Sequence, residues 1–102
     1  MRRAEIWWGL MGHKIRPLVL VSCDAHIDVR ALILAAPVTS RIRRIDSEVP
    51  LGPEEGLPKS CVINTSSLAL VSKRRLVRRI CALSPSKRDA LDTALSFSLG
   101  LD

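Results

Sequence analysis

Arg16-Pro17-Leu18-Val19-Leu20-Val21-Ser22 and Ala31-Leu32-Ile33-Leu34-Ala35-Ala36-Pro37-Val38-Thr39-Ser40 are two apolar runs separated by a short polar stretch. Each has the length of a buried strand, is too short for an ordinary helix, and is built from aliphatic residues. The first is entered by a charged residue and a proline, and the second leaves on two hydroxyls. If both lie centrally in one sheet, Arg16 and Thr39-Ser40 are polar groups where the strands reach the surface.

The flanking sequence supplies further strands. Arg3-Ala4-Glu5-Ile6-Trp7-Trp8 reads as the first, with aromatic and β-branched residues behind a charged start. Gly9 and Gly12 punctuate the connection 9–15, which suits a hairpin with a compact polar loop. Residues 23–30 fit one helical turn or an irregular crossing. Beyond Ser40, Arg41-Ile42-Arg43-Arg44 is a basic loop or strand continuation. Ser47-Glu48-Val49-Pro50-Leu51 is an edge strand, because Pro50 cannot donate to a central ladder. Residues 52–58 are a turn-rich acidic loop expected to add nothing to the core.

Ser60-Cys61-Val62-Ile63-Asn64 and Leu68-Ala69-Leu70-Val71 are further extended pieces. From Lys73 a short turn leads into a strand through Leu83, predicted to bury Leu76, Val77 and Ile80. Ser84 is an N-cap and Pro85 a first helical residue, so a terminal helix starts there. Leu91, Leu95 and Leu99, with Ala94 and Phe97 beside them, give it an apolar face, and Gly100 ends it. Strands first and one helix last predict a mainly β fold, a small curled antiparallel sheet with a packed helix, in a single domain over 1–102.

Three aromatic residues in a chain that is 47% hydrophobic require an aliphatic core. Lys and Arg outnumber Asp and Glu by 16 to 10, a net charge of +6, which makes polyanions plausible partners. Cys23, Cys61 and Cys81 are odd in number and lack metal spacing, so buried thiols in a reducing cytosol are expected. No apolar run reaches the ~18 residues of a membrane span, and the basic N-terminus has no apolar stretch behind it to make a signal peptide.

Several segments together resemble the MazF/PemK mRNA interferases, the toxin half of bacterial toxin–antitoxin pairs. Arg2-Arg3-Ala4-Glu5-Ile6-Trp7 is similar to the family's opening R-R-G-E-I-W, with Ala4 where glycine is usual. The Arg16 strand resembles its R-P-x-V-V-V-S, and Ala36-Pro37-Val38-Thr39-Ser40 its V-P-x-T-S. Leu83-Ser84-Pro85 and Asp92-Thr93-Ala94-Leu95 resemble its final helix. The resemblance implies a dimeric SH3-like barrel of the MazF/CcdB/Kid type. It also implies ribosome-independent cleavage of single-stranded mRNA with no metal or cofactor, and inhibition by a MazE-like antitoxin.

On that resemblance Arg16 and Thr39 are the catalytic pair, and a 2′,3′-cyclic phosphate and a 5′-hydroxyl are the products. A guanidinium matches the phosphoryl oxygens that gain charge, and a hydroxyl can donate to them. The family commonly carries an acidic residue and a glutamine where Ser66 and Ser67 stand, and neither serine can act as a carboxylate. His13, in the loop before Arg16, is the alternative base or acid, since imidazole titrates near neutral pH. Ser40, Arg41, Arg43, Arg44 and Lys14 are candidates for holding RNA phosphates. Lys73, Arg74, Arg75, Arg78 and Arg79 form either a second phosphate track or a docking surface for an acidic antitoxin tail. Trp7 and Trp8 point to opposite faces of an extended strand; core or dimer interface is favoured for both, with base stacking open to one. An impaired member of the fold that only binds RNA or antitoxin is the alternative. A gyrase-poison relative is disfavoured, because residues 96–102 contain no Trp.

Overall fold

The computed structural model describes residues 1–101. Its elements are β1 (Glu5–Met11), β2 (Lys14–Leu20), α1 (Asp24–Val29), β3 (Leu32–Thr39), β4 (Glu48–Leu51), β5 (Cys61–Asn64), β6 (Ala69–Ser72), β7 (Leu76–Ala82) and α2 (Pro85–Leu99). Single 3₁₀ turns at Pro53–Glu55 and Lys73–Arg75 lead towards β5 and β7.

β3 is the hub. Its residues 35–37 pair with β2 while 32–35 pair with β6 and 38–39 with β5, all antiparallel. A strand that changes partners along its length bends the sheet, and the order β4-β5-β3-β2-β1-β7 curls into a half-barrel. The two founding apolar runs are thus adjacent central strands. Both faces are covered at Leu18–Leu20 of β2 and at Ala35 and Ala36 of β3, which is why the runs are apolar without alternation there, whereas Leu32 and Leu34 at the start of β3 are exposed. Ile6, Val19, Ala36, Val38 and Ile63 pack with Leu91, Ala94 and Leu95 of α2. On the other face Leu18, Leu20, Ile33, Ala35 and Val71 pack with Ile27 of α1.

The β1–β2 hairpin is tighter than the sequence suggests. β1 runs on to Met11, which pairs with Lys14, leaving Gly12 and His13 as a two-residue turn. Gly12 takes φ +65°, the conformation demanded of the first central residue in such a turn. Ala4 also lies at φ +69°, where a glycine would sit without strain. Its N–H donates to Leu20 O at 2.8 Å, and its carbonyl accepts from Leu83 N at 3.0 Å. This accounts physically for the glycine that the family motif has at that place. Arg3 next to it ties the chain start to α2, with Nη2 2.7 Å from Asp92 Oδ1.

β4 is an edge strand, as Pro50 requires, and its edge is closed: Glu48 N donates to Ile45 O, and Lys87 Nζ donates to Pro50 O. α2 begins with the Ser84 hydroxyl accepting Lys87 N–H and ends at Gly100 in the left-handed region. Four expectations about burial fail. Leu57, in the supposedly coreless acidic loop, is buried in the α2 cluster. Val77 is exposed, because it is the extra residue of a β-bulge between the pairs Gly9↔Leu76 and Trp8↔Arg78. Leu99 and Phe97 lie past the end of the helix's buried face and are exposed. Cys23 is exposed, while Cys61 is buried and Cys81 partly so; all three are free thiols.

Candidate functional site

The β2–β3 ladder ends at Leu18↔Pro37. Pro17 and Pro37 have no N–H to offer it, and the strands part here. Carried two residues further, the same register sets Arg16 against Thr39. The parted ends form a cleft of about 210 Å³ walled by Trp8, Ile15, Arg16, Pro17, Val38, Thr39 and Ser40, with Leu57, Pro58, Lys59 and Cys61 opposite. Arg16, Thr39 and Ser40 therefore share one space.

Thr39 Oγ1 accepts the backbone N–H of Arg41 at 3.1 Å, which leaves its own O–H proton free to donate. Among the described residues no ion pair engages Arg16 or Lys59, and no Asp, Glu or His lines the cleft. Two unneutralised cations beside two hydroxyls make an anion-attracting pocket. Burial, reinforced by the Glu55 charge and opposed by Lys59, pushes the Cys61 thiol up, so it forms a neutral wall rather than a nucleophile. Lys59 went unnoticed in the sequence. It is one charge at the end of a turn-rich loop, and only closure of that loop onto the barrel brings it here.

The remaining candidates separate. His13 and Lys14 are exposed at the hairpin tip and do not line the cleft. Arg41, Arg43 and Arg44 lie on the exposed loop that leaves Thr39. That loop is shaped by Glu48 Oε1, which accepts the N–H groups of Arg43 and Arg44 at 2.9 and 3.0 Å. Arg44 borders a different groove with Ile42, Ile45 and Leu51. The C-terminal basic cluster also divides. Lys73 Nζ donates to Ile27 O at 2.5 Å, and Arg79 Nε meets Glu5 Oε2 at 2.9 Å. Arg74 and Arg75 stay exposed, and Arg78 sits beside Trp8. Ser66 and Ser67 close a turn with Asn64, whose Oδ1 accepts from Ser66 Oγ at 2.6 Å and whose Nδ2 donates to Ser67 Oγ at 3.2 Å. Among the described residues no group of three His, Cys, Asp or Glu side chains could hold a metal ion.

The family model described as "PemK-like, MazF-like toxin of type II toxin-antitoxin system" matches residues 2–99, from before β1 to the end of α2. The chain belongs to this family. A PemK/MazF relative in Mycobacterium tuberculosis H37Rv, named probable endoribonuclease MazF5, is 36% identical over 99 residues, covering 95% of this chain and 91% of that protein. Probable endoribonuclease MazF2 of the same species is 28% identical over 101 residues, covering 98% and 99%. In fold, the chain is similar to a mycobacterial endoribonuclease solved in complex with its cognate antitoxin, with a TM-score of 0.90 at 24% identity, covering 100% of this chain and 97% of that one. M. tuberculosis toxin MazF-mt6 gives 0.89 at 24% identity, covering 96% and 98%. The curled sheet with a C-terminal helix is thus the PemK/MazF fold.

Proposed function

We propose that this toxin is a metal-independent endoribonuclease that cuts single-stranded mRNA at short sequences without the ribosome. The observation that carries the reading is the cleft itself, where Arg16, Lys59, Thr39 and Ser40 share one space that no carboxylate lines among the described residues. In the reaction the ribose 2′-oxygen bonds to phosphorus and the bond to the 5′-oxygen breaks. The products are a 2′,3′-cyclic phosphate and a 5′-hydroxyl, which takes up the proton lost from the 2′-OH. Charge builds on the phosphoryl oxygens, and the planar fork of Arg16 matches two of them. Thr39 donates its free proton to the same group. Lys59 adds a second positive charge to the same space. Ser40 and the Arg41, Arg43 and Arg44 loop continue the RNA path on one side, and Lys14 on the other.

The toxin works as a homodimer. Leu32, Leu34 and Leu70 are exposed on one face of β3 and β6, and a groove leads from Leu34 past Leu95 to Leu99 and Leu101. So contiguous an apolar surface on a small domain suits a two-fold interface. Arg74 and Arg75 are free to meet the acidic tail of a MazE-like antitoxin. Among the described residues no helix is long and apolar enough to cross a membrane, and three free thiols suit the cytoplasm.

The test is incubation of purified protein with a long single-stranded RNA in EDTA, followed by mapping of the new 5′ ends. Discrete 5′-hydroxyl ends at one recurring short sequence are expected; intact RNA at enzyme excess refutes the reading. Ser66 and Ser67, which stand where the family commonly carries an acid and a glutamine and here close a turn with Asn64, favour as a second reading a module that binds RNA or antitoxin without cutting. Binding with no new ends would mark it.

A further inference from the structure

We infer that Trp8, Ile15, Val77 and Arg78 form a nucleobase subsite beside the cleavage cleft, where one RNA base stacks while a neighbouring phosphate lies at Arg16. The inference rests on the ribonuclease reading above and adds where the substrate's bases are held.

These four residues line an open hollow of about 430 Å³ that shares Trp8 and Ile15 with the Arg16 cleft, so the two spaces adjoin. The hollow is built by the strand geometry. Trp8 lies directly across from Arg78 on β7 and from Pro17 on β2. The bulge at Val77 interrupts the ladder at this point, and such bulges re-aim side chains. Ile15 and Val77 are each 56% exposed, two β-branched apolar side chains on a surface otherwise rich in charge. Trp7 offers no such platform. It packs against the core cluster that α1 covers, and its indole N–H donates to Glu5 Oε1 at 3.0 Å.

An aromatic face, two aliphatic flanks and a cation engaged in none of the ion pairs among the described residues ask for a ligand that is flat, π-rich and anionic. A nucleotide of single-stranded RNA has all three properties. Its base stacks on Trp8 and its phosphate meets Arg78, with no demand for a particular base edge. Arg79, the neighbouring cation, cannot serve, because Glu5 holds it.

The test uses a synthetic RNA oligonucleotide containing the mapped cleavage sequence, with a 2′-O-methyl group blocking attack at the scissile position. Abasic nucleotides are scanned along it, and binding is measured for the wild type, Trp8→Ala and Trp8→Phe. Trp8→Ala should weaken binding ~5- to ~100-fold, the range for loss of one stacked base. Trp8→Phe should recover most of that loss. One abasic position within a nucleotide or two of the blocked phosphate should weaken wild-type binding to a similar degree yet cost Trp8→Ala nothing more. A purely structural role for Trp8 would not produce that position-specific loss of additivity. If every abasic position costs both proteins equally, the subsite is refuted while the cleavage reading stands. If Trp8→Ala binds the oligonucleotide normally but loses an antitoxin peptide, the hollow is a protein-docking surface instead. A wild type that neither binds nor cuts RNA overturns both readings.

Discussion

The hydroxyl oxygen of Thr39 accepts the backbone N–H of Arg41 at 3.1 Å, so the side chain is fixed by the loop that follows it and its proton is left for a ligand. Arg16, by contrast, comes from the neighbouring strand and is in none of the ion pairs among the described residues. This difference ranks the two residues. Arg16→Ala should lower the cleavage rate by ~10²–10³, the usual cost of one preorganised donor to a developing oxyanion. Arg16→Lys should recover only part of it, since an ammonium lacks the planar fork. Thr39→Ala should cost less, because water can partly replace a hydroxyl donor at this half-buried position. Single-turnover rates on one mapped RNA site decide it, and equal losses for the two alanine variants would contradict the ranking.

His13 occupies the tip of a two-residue hairpin turn and does not line the cleft. The expected outcome for His13→Ala is a rate within about tenfold of wild type and an unchanged pH–rate profile. General acid–base catalysis contributes ~10²–10⁴ where it operates. A loss of that size, together with disappearance of a titration near neutral pH, would return His13 to the mechanism.

Much of this was legible because it was local. Ser84-Pro85 and Gly100 bound α2 through the chemistry of their own backbone neighbours. The two aliphatic runs proved to be adjacent central strands, but that Arg16 and Thr39 come to one cleft depends on a register the sequence does not state. What escaped depends on distant parts of the chain. The Gly12-His13 turn lacks the usual Asn-Gly or Asp-Gly signal, so β1 looked shorter than it is. Leu57 is one apolar residue among turn formers, and only closure of its loop decides that it is buried. Val77 and Leu76 are neighbours in a run of the same period, and a bulge against β1 settles which one faces in. Charge counting saw five cations from Lys73 to Arg79. It did not see that Ile27 O and Glu5 engage two of them.

The exposed leucines of β3 and β6 give a direct test of association. Leu70 is 63% exposed in the isolated protomer, so Leu70→Lys removes little from its core. If a second copy covers this face, the substitution puts a charge into a buried interface. The sedimentation mass at micromolar concentration should then fall from twice 11.3 kDa towards the single-chain value. The melting temperature of the monomeric fraction should stay close to that of a dilute wild-type sample. A wild type that sediments as a single chain at that concentration would sink the dimer.

Glu5 holds the start of the barrel together through its charge. Its Oε1 accepts the Arg2 N–H at 2.8 Å and the Trp7 indole N–H at 3.0 Å, and its Oε2 meets Arg79 Nε at 2.9 Å. Burial by itself pushes this carboxyl up. The hydrogen bonds from Trp7 and Arg2 and the Arg79 guanidinium outweigh it, so the net shift is downward. With the folded value below the unfolded one, the unfolded chain binds more protons between them, and stability rises with pH across that interval. The contribution is complete above the unfolded value of about 4.3 and is lost as pH falls through the folded value. Glu5→Gln keeps the shape but turns an amide N–H₂ towards Arg79. It should destabilise by about 1 kcal/mol at pH 7, a modest figure because Arg79 is half exposed. Urea unfolding of both proteins at pH 7 and near pH 3 checks the sign: the two curves should draw together in acid. An equal gap at both pH values would mean that packing around Glu5, not its charge, is what the substitution disturbs.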